Sequence, residues 1–253
     1  MTPVVLVISG HDPSGGAGLV ADIQSVSACG AHPTLAISAL TEQDTRNAYA
    51  VFPVPVPQLL AQIQRVVADI RPQAIKIGLL PNPTIAQSLL PVLDRLADVP
   101  LVLDPVLIAS GGGTLADADL TPLLREALIP RATVVTPNLP EAQALTGCPD
   151  PVEAGHALLG MGAGWALVTG GDAATPDVAN HLIGPECTTT RWPRRPGSFH
   201  GTGCTLASAL AAGLTGRTPR YGLHLDENRV ATKRYVVREQ PRELTDWGVL
   251  GAV

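Results

Sequence analysis

Through most of the chain, short β-branched and aliphatic runs alternate with longer stretches whose apolar positions return every three or four residues. The short runs predict strands over Val4–Ser9, Thr34–Leu40, Ala74–Leu79, Leu101–Asp104, Thr133–Thr136 and Trp165–Thr169. The longer ones predict helices over Leu19–Ala28, Pro57–Asp69, Thr84–Leu96, Leu120–Leu128, Glu141–Thr146 and Val152–Met161, and one more starting near Gly203 or Cys204. Nearly every helix is introduced by Pro, Ser, Thr or Asp, as the unpaired N–H groups of a first turn require. Strand and helix in regular alternation predict an α/β fold, a mostly parallel central sheet with helices on both faces. Between Ala179 and Trp192 the pattern changes to two extended pieces around Gly184-Pro185, which predicts a hairpin or antiparallel edge.

Composition narrows the classes. A length of 253 residues predicts one domain with a substantial core. Although 45% of residues are hydrophobic, no run approaches the roughly 20 uncharged residues a membrane span needs. Pro3 to Ile8 follow Met1 without a basic segment, so this stretch is read as a strand and not a signal peptide, and a cytoplasmic location is expected. Cys29, Cys148, Cys187 and Cys204 are scattered with no C-x-x-C pair, against zinc and against a disulfide framework. A net charge of -5 gives no reason to expect nucleic acid or membrane partners.

Open α/β sheets bind ligands beyond the carboxyl ends of their strands. The first strand runs into Gly10-His11-Asp12-Pro13-Ser14-Gly15-Gly16-Ala17-Gly18, followed by a helix carrying Asp22; the glycines permit close approach of a ligand but miss the dinucleotide fingerprint register. After the second strand comes Thr41-Glu42-Gln43-Asp44-Thr45, in which Gln43 offers a donor and an acceptor to a heteroaromatic edge or is a solvated loop amide. Asp104 closes a buried strand, where a carboxylate needs a partner. Ser110 to Thr114 is either a loop that orders over a ligand or a surface connection. Asn138 and Glu141 are either oxygen ligands for Mg²⁺ or the N-cap and third residue of a capping box.

The densest signal is Ser198 to Leu210, where His200-Gly201-Thr202-Gly203-Cys204-Thr205 feeds an Ala- and Leu-rich run. A glycine-rich turn entering a helix aims free N–H groups and the positive dipole end at one point, which suits an anion. On that reading the first turn lowers the Cys204 thiol pKa and makes it an acid/base group. On the other, this is a small-residue packing turn with an ordinary buried cysteine.

Taken together in order, Gly10-x-Asp12-x-Ser14-Gly15-Gly16-Ala17-Gly18 with Asp22, Thr41 to Thr45 with Gln43, Lys76-Ile77-Gly78, Asp104-Pro105-Val106, Thr136-Pro137-Asn138-Leu139-x-Glu141, Gly170-Gly171 and the Cys204 motif resemble the hydroxymethylpyrimidine/phosphomethylpyrimidine kinases of the ribokinase-like superfamily. The resemblance implies a three-layer αβα fold, a homodimer, and two ATP-dependent phosphorylations, of 4-amino-5-hydroxymethyl-2-methylpyrimidine and of its monophosphate, in thiamine biosynthesis. It further implies that Gln43, Asp22, Ala17, Gly78, Leu79 and Val106 meet the ring. Gly201, Thr202, Gly203 and Cys204 would act on the transferred phosphoryl, with Cys204 as base. Asn138, Thr169, Gly171 and Thr202 would meet the nucleotide, and Glu141 and Asp104 Mg²⁺.

Two departures stand out. Thr169 occupies the position before Gly170-Gly171 where many relatives carry Lys, and the stretch from Arg217 lacks the amphipathic helix and aromatic-rich segment that close the nucleotide site in relatives. The expected organisation is therefore a kinase domain over 1–216 and a divergent tail over 217–253. A pyridoxal kinase of the same branch is the nearest alternative, and a non-catalytic pyrimidine-binding relative a more distant one.

Overall fold

The computed structural model describes residues 2–107, 115–117, 119–197 and 199–216. The Ser110 to Thr114 loop, Ser198 and the tail over 217–253 lie outside the described residues.

Nine strands form one sheet: β1 (Val4–His11), β2 (His32–Gln43), β3 (Ala48–Pro53), β4 (Ala74–Ile77), β5 (Leu101–Leu103), β6 (Val134–Val135), β7 (Trp165–Val168), β8 (Asp177–Ile183) and β9 (Cys187–Pro193). Their spatial order is β3-β2-β1-β4-β5-β6-β7-β8-β9. The six strands from β2 to β7 in that order pair in parallel; β3 pairs antiparallel at one edge, and β8 and β9 antiparallel at the other. The expected hairpin is thus present, and its turn falls at Gly184 as anticipated.

The helices are α1 (Gly18–Ala28), α2 (Val56–Asp69), α3 (Pro83–Arg95), α4 (Leu120–Leu123), α5 (Leu139–Thr146), α6 (Pro151–Gly160) and α7 (Thr202–Leu214). The central strands are buried on both faces, so alternate residues serve opposite layers. Leu6, Ile8, Ile75, Ile77, Leu101 and Leu103 pack toward α2 to α6. Val5, Val7, Ala74, Val102 and Val134 pack toward α1 and α7. That parity sends Lys76, two residues after Ala74, into the α1/α7 layer.

Two elements differ from expectation. The segment Leu120–Leu128 is not one α-helix: after α4 it widens into a π turn over Leu124–Leu128 and tightens into a 3₁₀ turn over Ile129–Arg131. Strand β3 was not anticipated; it sits at an edge, where every residue but Ala48 is half-buried or exposed. It extends β2 beyond its predicted end at Leu40, and a bulge between Glu42 and Gln43 re-aims Gln43. Among the described residues no helix is long and apolar enough to cross a membrane.

Candidate active site

The carboxyl ends of the parallel strands open into a cavity of about 470 Å³, which suits a small ring and part of a nucleotide. It is lined by thirteen of the fifteen expected site residues: Ala17, Gln43, Leu79, Asp104, Val106, Asn138, Glu141, Thr169, Gly171, Gly201, Thr202, Gly203 and Cys204. Asp22 and Gly78 are not among the lining residues. Gly78 backs onto the floor, where a Cβ would come within 2.5 Å of Lys76 Nζ and 2.6 Å of Ser9 Oγ. Asp22 is wholly buried beneath it, its Oδ1 accepting from Lys76 Nζ at 3.0 Å and from Ser208 Oγ at 2.6 Å. The expectation that Asp22 meets substrate is corrected accordingly: it is the counter-ion of Lys76, which the strand parity drives into this layer.

Lys76 also stands 3.5 Å from Asp104. Burial alone would favour its neutral form, but Asp22, and after it Asp104, hold the ammonium firmly charged. Asp104 Oδ2 makes no hydrogen bond among the described residues, nor does the buried Ser9 Oγ. Burial raises the Asp104 carboxyl above its ordinary value, against the pull of Lys76.

Helix α7 begins as the sequence indicated. Gly201 caps it at φ 79°, in the left-handed region, and no side chain satisfies the first N–H groups. A Cβ on Gly201 would fall 1.9 Å from the carbonyl oxygen of Gly16, so the loop entering α7 lies directly on the glycine loop after β1. The first-turn amides of α7 therefore face the cavity, in position to receive an anion. The thiol expectation is overturned. Cys204 touches the cavity, yet burial pushes its pKa up to about 12, outweighing Lys76 and the Gly18 N–H that pull it down. A helix N-terminus lowers a thiol pKa only where desolvation does not win, so without ligand the group is a neutral thiol.

At the end of β6 the capping alternative is realised. Asn138 Oδ1 accepts from the Glu141 N–H at 2.9 Å, and Glu141 Oε2 accepts from the Asn138 N–H at 3.0 Å. Burial, and then the charge of Asp104, push Glu141 up to about 8 despite those hydrogen bonds. Among the described residues no three His, Cys, Asp or Glu converge on a point. The donors present, Glu141 and Asp104, fit a hard cation held mostly by phosphate oxygens and water, not a protein-built cage.

Sequence reasoning did not single out Asp12, His200 or the two arginines that follow β9 as site residues. His200 Nε2 lies 2.8 Å from Asp12 Oδ2 and 3.0 Å from the Gln43 amide, joining the first loop, the end of β2 and the entry to α7. Arg194 is bonded to the carbonyls of Thr175 at 2.8 Å and Gly171 at 2.6 Å, which pins the loop after β7. Arg195, exposed at the rim, lines the cavity next to Arg194.

The model of the family described as phosphomethylpyrimidine kinase matches residues 12–233. A hydroxymethylpyrimidine/phosphomethylpyrimidine kinase of Streptomyces coelicolor is 38% identical over 218 residues, spanning 84% of this chain and 81% of its own. Among solved structures, a phosphomethylpyrimidine kinase of Clostridium difficile superposes with TM-score 0.71 at 31% identity, covering 84% of this chain and 91% of its own. A pyridoxal kinase of Bacillus subtilis, solved as an ADP complex, superposes with TM-score 0.78 at 28% identity over 85% of each chain.

Proposed function

The chain belongs to the phosphomethylpyrimidine kinase family, and from that premise we infer that its cavity transfers a phosphoryl group from ATP to 4-amino-5-hydroxymethyl-2-methylpyrimidine and then to the monophosphate so formed, in thiamine biosynthesis. The observation that carries this reading is the open N-terminus of α7 facing the same cavity as Gln43.

Phosphoryl transfer spreads negative charge over the equatorial oxygens in the transition state, so the main demand is for fixed donors. The amides of Thr202, Gly203 and Cys204 supply them, with no reorganisation at the moment of reaction. Gln43 pairs with the aminopyrimidine edge, while Leu79, Ala17 and Val106 enclose the ring. Asn138, Thr169, Gly171 and Thr202 border the nucleotide. Arg195, just after β9, supplies the phosphate-facing charge that Thr169 lacks. Glu141, with Asp104, would hold Mg²⁺ through oxygen and water; when bound, the ion neutralises phosphate charge and lifts the cost of ionising Glu141.

Cys204 is the group placed to take the proton from the attacking hydroxyl or, in the second step, from the monophosphate. Because it rests as a neutral thiol, it would first give its own proton to solvent, with Lys76 beneath it stabilising the thiolate, and the thiolate would then take the proton of the attacking group. The exposed Leu40, Tyr49 and Phe52 on β2 and β3 support a homodimer built on that edge.

The testing experiment follows monophosphate and diphosphate over time with Mg-ATP. Cys204→Ala is expected to remove both steps while calorimetry still registers the ring; retained turnover refutes Cys204 as the base. The pyridoxal kinase likeness favours one second reading, which a competition between pyridoxal and the pyrimidine decides.

A further inference from the structure

The donor and acceptor chemistry around Gln43 admits one arrangement, and it is set from a distance. Asp12 accepts from the Ser14 N–H at 2.8 Å and the Ala17 N–H at 2.8 Å. Although burial opposes ionisation, these bonds and His200 hold its carboxyl down at about 2, so it only accepts. His200 Nε2, 2.8 Å from Asp12 Oδ2, must therefore carry a proton. The same nitrogen lies 3.0 Å from Gln43 Nε2 as the structure places the carboxamide. Two donors would then face each other, so exchanging the two ends of the carboxamide, which turns its oxygen toward His200, resolves the contact.

The far side of Gln43 requires the same orientation independently. Thr41 Oγ1 has one proton and two neighbouring acceptors as placed, the His11 carbonyl at 2.9 Å and Gln43 Oε1 at 3.2 Å; donated over the shorter distance, it leaves the lone pairs of the hydroxyl toward Gln43. Only the amide NH₂ satisfies that contact. The two ends of a carboxamide are nearly the same shape, so the network, not the shape, decides.

We infer that Asp12 and His200 are positioning residues that lock the Gln43 amide with its oxygen toward α7 and its NH₂ toward β2, and that this order of acceptor and donor selects the ring edge the site accepts. The inference rests on the reading that Gln43 meets the ring. A ring offering an amino donor beside a ring-nitrogen acceptor matches the locked amide in one orientation, which also fixes where its hydroxymethyl group points. A ring with hydroxyl and aldehyde substituents in place of the amino group finds the amide in a fixed and unsuitable order.

The test uses the whole chain. Long-range ¹⁵N spectra of labelled, ligand-free protein are expected to show His200 protonated at Nε2, assigned by loss of the signal in His200→Phe; an Nδ1-protonated neutral ring overturns the lock. Phenylalanine keeps the packing of this ring against Gly16, where a Cβ would come within 2.6 Å of His200 Cδ2, but donates nothing. With folding checked by melting, His200→Phe is expected to raise KM for the aminopyrimidine about tenfold or more, leaving KM for ATP unchanged and kcat within about threefold. His200→Gln, whose amide reaches the Nε2 position, is expected to restore part of the loss. An unchanged pyrimidine KM, or a loss confined to kcat, overturns the inference. If the unmodified protein binds no aminopyrimidine, the functional reading fails instead, while the spectra still decide the lock.

Discussion

Replacing Lys76 with methionine removes a charge from beneath the cavity with little change in volume. The Lys76 side chain is 0% exposed and lies 3.0 Å from the fully buried Asp22 and 3.5 Å from Asp104. Without it Asp22 keeps only Ser208 among the hydrogen-bond donors described above, and Asp104 loses its counter-charge. Removing one partner of a buried pair costs about 3–5 kcal/mol, out of a total stability of roughly 5–15 kcal/mol for a domain. At about 2–4 °C per kcal/mol for a chain of this size, Tm falls by roughly 6–20 °C. The loss has a sign in pH. In the variant burial, no longer opposed by Lys76, holds the Asp104 carboxyl above its unfolded value, so the native state holds more protons than the unfolded chain. The deficit therefore grows as pH rises above the unfolded carboxylate value near 4, and shrinks as pH falls toward it. Adding Asp22→Asn is expected to recover part of the loss, because asparagine still accepts from Ser208 while one orphaned charge is gone. Urea unfolding of ligand-free protein at about pH 5 and about pH 7.5, run as a double-mutant cycle, measures all three quantities. A cost under about 1 kcal/mol, a deficit equal at both pH values, or no recovery in the double variant would refute the reasoning.

Three further outcomes are expected. Iodoacetamide should label the exposed Cys187 well before Cys204, whose rate should climb tenfold per pH unit up to its pKa of about 12; a plateau near neutral pH would show a preformed thiolate. Gly201→Ala should destabilise by at least the roughly 1–2 kcal/mol of a left-handed non-glycine residue, and abolish turnover, because its Cβ overlaps the Gly16 carbonyl; denaturation with a product assay reads both. Arg195→Ala should raise KM for ATP several-fold without changing Tm, whereas Arg194→Ala should lower Tm by leaving loop carbonyls unpaired; the reverse pattern in kinetics and melting exchanges their roles.

Much of the sheet was legible because buried parallel strands must be apolar on both faces, and Val4 to Ser9 or Ala74 to Ile77 cannot read as anything else. β3 escaped because an edge strand with Tyr49 and Phe52 in solvent has no such constraint. The π turn over Leu124–Leu128 was hidden for another reason: a π turn and an α-helix share an apolar stripe over so short a span. Of the site, the positions just after strands were legible, since topology alone brings them to one rim. What a side chain does there was less so. Asp22 looks like a site residue in sequence, yet β4 parity makes it the buried partner of Lys76. The pKa of Cys204 depends on how much protein surrounds it, which the local Gly-Thr-Gly-Cys pattern does not specify. The tie between Asp12 and His200 spans 188 positions and has no local trace.

The contact of the Gly16 carbonyl with Gly201 has a consequence for a chain emerging from the ribosome. Its parallel sheet is complete once β7 has been made, but the anion loop, and with it His200 beside Gln43, takes its place only when α7 settles beside α1. A partly synthesised molecule therefore has the rim of strand ends but neither the lock on Gln43 nor a place for the phosphoryl group. Both arrive in one event, when α7 closes against α1.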